Sequence, residues 1–97
     1  MEFEGVKVVH FIPGRVRLRV DRLRGEPAFA DKVRERLSAV DAIRHVDASD
    51  LTGSVLVEYD PVAIARPESI DGLVAALNDL FPTFDTNVVH HWLAGRR

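Results

Sequence analysis

Between residues 15 and 20 the chain alternates without a break: Arg15, Arg17 and Arg19 share one parity, Val16, Leu18 and Val20 the other. Successive side chains of a β-strand point to opposite faces of its sheet. A strand of this composition is therefore buried on one side and wetted on the other. The chain must build a sheet with one open face, and the rest of the sequence must supply the cover for the other.

Two helical patterns supply it. Pro27 sits where a first helical turn tolerates proline, and Phe29, Val33, Leu37 and Val40 follow at helical spacing with charged residues between them. This predicts an amphipathic helix over 27–40. Pro67-Glu68-Ser69 introduces a second, in which Ile70, Leu73, Val74, Leu77 and Leu80 or Phe81 form the apolar stripe and Pro82 stops the run. Between them lie strand signals at 43–49 and 54–59, joined by Asp50-Leu51-Thr52-Gly53, which is turn chemistry. Val55, Val57 and Tyr59 fall on one face of the later strand, with Ser54, Leu56 and Glu58 on the other. Residues 6–12 read as an edge segment, or as the first strand continued through a bulge or strand start at Pro13-Gly14.

Strand, helix, strand, strand, helix and then a short closing strand is the order of a split βαβ unit. The expected fold is α+β, a ferredoxin-like βαββαβ sandwich with both helices on one face of an antiparallel sheet ordered 4-1-3-2. Val16, Leu18, Val20, Val46, Val55, Val57 and Tyr59 are expected to face the helices, with Arg15, Arg17 and Arg19 on the open surface. The fourth strand, at 83–85, is expected to be short or vestigial. Alternatively, Asp85-Thr86 caps a terminal helix holding Val88, Val89, Trp92 and Leu93. We place the domain at 1–84 and a tail at 85–97.

Two segments carry a family resemblance. His10-Phe11-Ile12-Pro13-Gly14-Arg15-Val16-Arg17-Leu18-Arg19-Val20, followed by Leu51-Thr52-Gly53-Ser54-Val55-Leu56-Val57-Glu58-Tyr59-Asp60-Pro61, resembles the cysteine-free second type of heavy-metal-associated domain. Such domains occur alone or ahead of P-type metal-transporting ATPases. The resemblance implies the ferredoxin-like fold and a setting in metal handling. In cysteine-bearing relatives two thiolates sit in the loop between the first strand and first helix. Here that loop is Asp21-Arg22-Leu23-Arg24-Gly25-Glu26, and the chain has no Cys anywhere. Copper(I) chemistry needs soft donors, so thiolate metal binding does not carry over.

The formal net charge of −2 argues against nucleic acid as a partner. No apolar run approaches the roughly 20 residues a membrane helix needs, and the acidic start lacks the layout of a secretory signal. A cytoplasmic protein without membrane insertion is expected. No serine has an obvious base nearby in sequence and no Gly-rich phosphate loop occurs, so an enzyme is not expected.

Three groups of residues are candidates for a site. His10, His90 and His91 would converge if the closing strand ran antiparallel to the first, and imidazole suits a transition metal or haem iron. Arg15, Arg17 and Arg19, continued by Arg22 and Arg24, form a basic ladder. Its plain reading is cross-strand ion pairing with Glu58 and Asp47; its functional reading is an anionic partner. Gly14 beside Arg15 permits close approach, while Trp92 and Leu93 offer a docking segment. The reading these features favour is a small non-enzymatic binding or adaptor domain acting through protein contacts, in a metal-homeostasis setting. Histidine-based binding of a metal or haem is the alternative, and nucleic-acid or phosphate binding on the arginine face another. An edge left unpaired by a vestigial fourth strand would favour a homo-oligomer.

Overall fold

Pro13 and Gly14 decide how the first part of the chain is arranged. Proline presets φ at the second position of a turn, and Gly14, with φ of +89°, takes the left-handed third position. A side chain there would also sit 3.2 Å from the Tyr59 carbonyl oxygen. The chain reverses at this pair, so that the strand Val6–Ile12 (β2) lies antiparallel to Arg15–Val20 (β3), with Ile12 opposite Arg15. Residues 6–12 are thus a separate strand, and β3 starts directly after the glycine. The bulge considered at Pro13-Gly14 is a two-residue turn instead; the break in register falls between Val8 and His10.

The computed structural model describes residues 5–82, together with the backbone of residues 2 and 3. Glu2–Phe3 (β1) is a two-residue strand paired with β2. After β3 come a 3-10 turn at Asp21–Leu23, the helix Pro27–Ser38 (α1), the strands Ile43–Ala48 (β4) and Ser54–Tyr59 (β5), a second 3-10 turn at Ala63–Ala65, and the helix Pro67–Leu80 (α2). Both helices begin on the expected prolines. The sheet is antiparallel throughout, in the order β1-β2-β3-β5-β4.

This is the expected α+β, ferredoxin-like arrangement, and β3-β5-β4 reproduces the 1-3-2 part of the predicted order. The place beyond β3 reserved for a closing strand is taken by β2. Because β3 is hydrogen-bonded on both sides, its flank is not the open edge from which a homo-oligomer was expected. Among the described residues the sheet ends at β1 and β4. The expected strand at 83–85 and the tail at 85–97 lie outside the described residues.

One cluster joins the inward face of the sheet to the helices. Val6, Val16, Val20, Val46, Ala48, Val55 and Val57 meet Ala30, Val33 and Leu37 of α1 and Ala76 and Leu80 of α2. Val8, Phe11, Leu18 and Tyr59 are half-buried against it. Leu23 is fully buried under the β3–α1 connection, and Val40 closes the core just beyond α1. At roughly 25 cal/mol per Å², each well-buried aliphatic side chain contributes about 1.5–3 kcal/mol. On α2, Ala76, Leu80 and Ser69 are the fully covered positions, while Ile70, Leu73, Val74 and Leu77 are half-covered.

Glycine is required at one further position, Gly53, in the β4–β5 turn. Its φ is +77°, and a Cβ would lie 2.9 Å from the Val20 carbonyl oxygen and from the Arg24 side chain. Its own carbonyl accepts the Val20 amide at 2.8 Å. At the other end of the same strand pair, Tyr59 N–H donates to the Gly14 carbonyl at 2.9 Å. The two central strands are therefore tied at both ends by backbone contacts that only glycine allows.

Candidate functional site

The bulge in β2 determines what the open face of the sheet carries. Ahead of it, Val6 and Val8 stand opposite Val20 and Leu18 and face the core; after it, Phe11 resumes the inward parity opposite Val16. One extra residue keeps Lys7, His10 and Ile12 all on the outward side, opposite Arg19, Arg17 and Arg15. Across β3, Arg15 is opposite Glu58, Arg17 opposite Leu56 and Arg19 opposite Ser54. On β4, His45 lies opposite Glu58 and Asp47 opposite Leu56. Transverse rows result: His10–Arg17–Leu56–Asp47 and Ile12–Arg15–Glu58–His45.

Arg15, Arg17 and Arg19 are exposed, as expected, on the face that the helices leave uncovered. The expected ion pairing is not made. Although Arg15 stands directly across from Glu58, no salt bridge joins them, and Asp47 is two strands away from Arg17. The ion pairs among the described residues lie elsewhere: Lys32 and Arg36 with Asp79 between the helices, Arg34 with Asp31, and Arg44 with Asp60. Outward positions of β2–β5 hold four cations, Lys7, Arg15, Arg17 and Arg19, against two carboxylates, Asp47 and Glu58. The face carries a surplus of positive charge on a chain whose formal net charge is −2.

Arg22 does not continue this ladder. The 3-10 turn rotates it to the helix side, where its guanidinium lies 4.5 Å from the centre of the Phe29 ring and 5.7 Å from that of Phe81. These rings meet edge to face at 5.8 Å. Arg22 also donates to the Leu80 carbonyl at 3.1 Å, satisfying one of the acceptors left open at the C-terminus of α2. Cation, rings and helix end form a clamp across the β3–α1 connection, a loop without any thiol. Nothing in the spacing of the sequence signals it, since Phe81 lies 59 positions further along the chain.

The histidines do not converge among the described residues. His10 is exposed on β2 and His45 on β4, with β3 and β5 between them. Three interstrand steps of about 4.8 Å put them roughly 14 Å apart across the sheet, and they also stand in different transverse rows. No group of His, Asp or Glu suited to hold a metal ion occurs among the described residues. His90, His91, Trp92 and Leu93 lie outside the described residues. Gly14 serves the β2–β3 turn and its approach to Tyr59, so its role in the fold is settled by backbone geometry.

Asp60, which follows β5, is a second structural polar residue. Its Oδ1 accepts the amides of Val62 and Ala63, both at 2.9 Å, and Oδ2 accepts from Arg44 at 3.0 Å. The amides of Ala63 and Val62, and then Arg44, hold its carboxyl below the ordinary 3.8.

Among the described residues no helix is long and apolar enough to cross a membrane. The model of a family described as heavy metal associated domain 2 matches residues 2–95. No curated protein and no solved structure matches the chain.

Proposed function

Because the chain belongs to the heavy metal associated domain 2 family, we propose that it is a small non-catalytic binding domain in a metal-handling setting, working through protein contacts on its open sheet face. The observation that carries this reading is the column Arg15, Arg17 and Arg19: exposed, central to the sheet and without an ion-pair partner among the described residues. A guanidinium fork with no internal carboxylate is a donor held ready for one outside.

The family's name points to a heavy metal, and the β3–α1 connection does not fit a thiophilic one. It presents Asp21, Arg22, Arg24 and Glu26 and no sulfur, and Leu23 is buried beneath it. A soft ion would find hard oxygen donors and a guanidinium in its place. In this reading the fold has kept its family shape while its contact with metal handling runs through another protein.

Affinity capture from the source cell's extract tests the reading, using wild type beside a variant with Arg15, Arg17 and Arg19 each replaced by Glu. Partners retained by wild type and absent with the variant, at unchanged circular dichroism, are the expected result. Retention of the same partners by both overturns it. Native mass spectrometry with copper(I) is expected to show no stoichiometric adduct.

A further inference from the structure

We infer that the partner recognised by the open face is an acidic polypeptide segment lying extended along β3; this rests on the reading above and adds the chemistry of what docks. Alternate residues of a strand recur about every 6.6–6.8 Å, so the three arginines form a row with that spacing. An extended peptide with carboxylates on alternate positions repeats at the same interval. Each of its side chains would meet one guanidinium, which binds carboxylate with two parallel N–H···O bonds. Lys7 and His10 widen the column toward β2.

What flanks the column sets the class of partner. On one side stand Asp47 and Glu58, on β4 and β5; on the other, β2 contributes Ile12, which is 46% exposed. The positive strip is thus narrow, and carboxylates lie beside it. A nucleic-acid strand would bring a continuous row of phosphates toward those carboxylates, and it gains much of its affinity by stacking bases on aromatic rings. The described outward positions hold no Phe, Tyr or Trp, since Phe11 and Tyr59 have inward parity and pack against the core, and the two outward imidazoles, His10 and His45, are separated by β3 and β5. An acidic peptide needs no such platform, and Ile12 and Leu56 offer its apolar side chains contact.

The test uses the untagged full chain and three fluorescein-labelled probes: a twelve-residue alternating Glu-Ser peptide, its Gln-Ser counterpart, and a twelve-nucleotide oligothymidylate. Fluorescence anisotropy at low salt should show binding of the Glu-Ser peptide and none of the Gln-Ser peptide. Raising the salt toward 1 M, where screening shortens to roughly 3 Å, should weaken that binding at least tenfold. Arg17→Glu should also lower the affinity about tenfold, as expected for reversing one contact of a charged pair. Arg66→Glu, an equal charge change at the exposed residue preceding α2, should leave it unchanged.

Equal losses in both variants, tighter binding of the oligothymidylate, or no binding of the Glu-Ser peptide would each overturn the inference. If the peptide fails while capture still depends on the arginines, the docking face stands and only the acidity of its partner falls. A dimer in native mass spectra that Arg17→Glu dissolves would assign the face to a second copy of the chain, again overturning the inference.

Discussion

Arg17 and Arg22 stand five positions apart and belong to one basic run, yet they meet opposite surroundings. Arg22 lies across two aromatic rings and donates to the end of α2. Arg17 projects from the middle of β3 with His10 and Leu56 beside it and no ion pair among the described residues. Residue type alone cannot separate the two. The parity of a strand carries Arg17 outward, and three residues of 3-10 turn carry Arg22 inward. The lesson is that a cation's role follows from whether the fold already supplies its partner: for Arg22 it does, and for Arg17 the described residues supply none.

The contrast can be broken most severely on the structural side. Gly53→Ala forces a Cβ to within 2.9 Å of a backbone oxygen at positive φ; destabilisation on the order of 3 kcal/mol is expected by urea unfolding. Next comes Arg22→Ala, which removes two cation–π contacts and the donor to Leu80, for about 1.5 kcal/mol by the same assay. Arg22→Lys should restore part of that, because charge is kept while the planar fork is lost. Arg17→Ser should change stability by less than about 0.5 kcal/mol, as for an exposed residue with no partner. A loss as large as that of Arg22→Ala would show that the column is structural and remove the ground for a docking face.

The smallest effect is one of pH. Asp60 has a depressed carboxyl pKa in the folded chain, so its contribution is complete above the ordinary 3.8 and is lost as pH falls through the lower folded value. Asp60→Asn should flatten the dependence of unfolding midpoint on pH within that acidic window and leave it unaltered near neutrality. An unchanged acid slope in the variant would mean that Arg44 and the two amides do not depend on this carboxylate.

Much of this was legible from residue patterns. The parity of Arg15, Arg17 and Arg19 gave the open face, Pro27 and Pro67 marked both helix starts, and Gly53 marked the turn between β4 and β5. Where reading failed, the cause was an irregularity of one or a few residues. The break near Val9 shifts parity within β2, so Val6, Val8 and Phe11 face inward without simple alternation, and the pattern does not decide between a separate edge segment and a continued first strand. Arg22 was assigned to the ladder because a 3-10 turn leaves no periodic trace, and its ring partners lie far along the chain. The resemblance was sound as a guide to fold because its two segments are β2, β3 and β5 with their glycine ties. For the same reason it said little about chemistry: those residues close a sheet.

The place of β2 beside β3 also bears on when the sheet can assemble. In a ferredoxin-like chain closed by its last strand, the central strand waits for the end of the polypeptide before one flank is paired. Here that flank is paired by a neighbour reached through two turn residues. Local contacts of this kind form early, since closing a short loop costs little entropy. A nascent chain therefore can seed its sheet from the β2–β3 hairpin as soon as Val20 is free of the ribosome. The pairing of β3 with β5, across a far longer stretch of chain, then adds to an edge that the hairpin has defined.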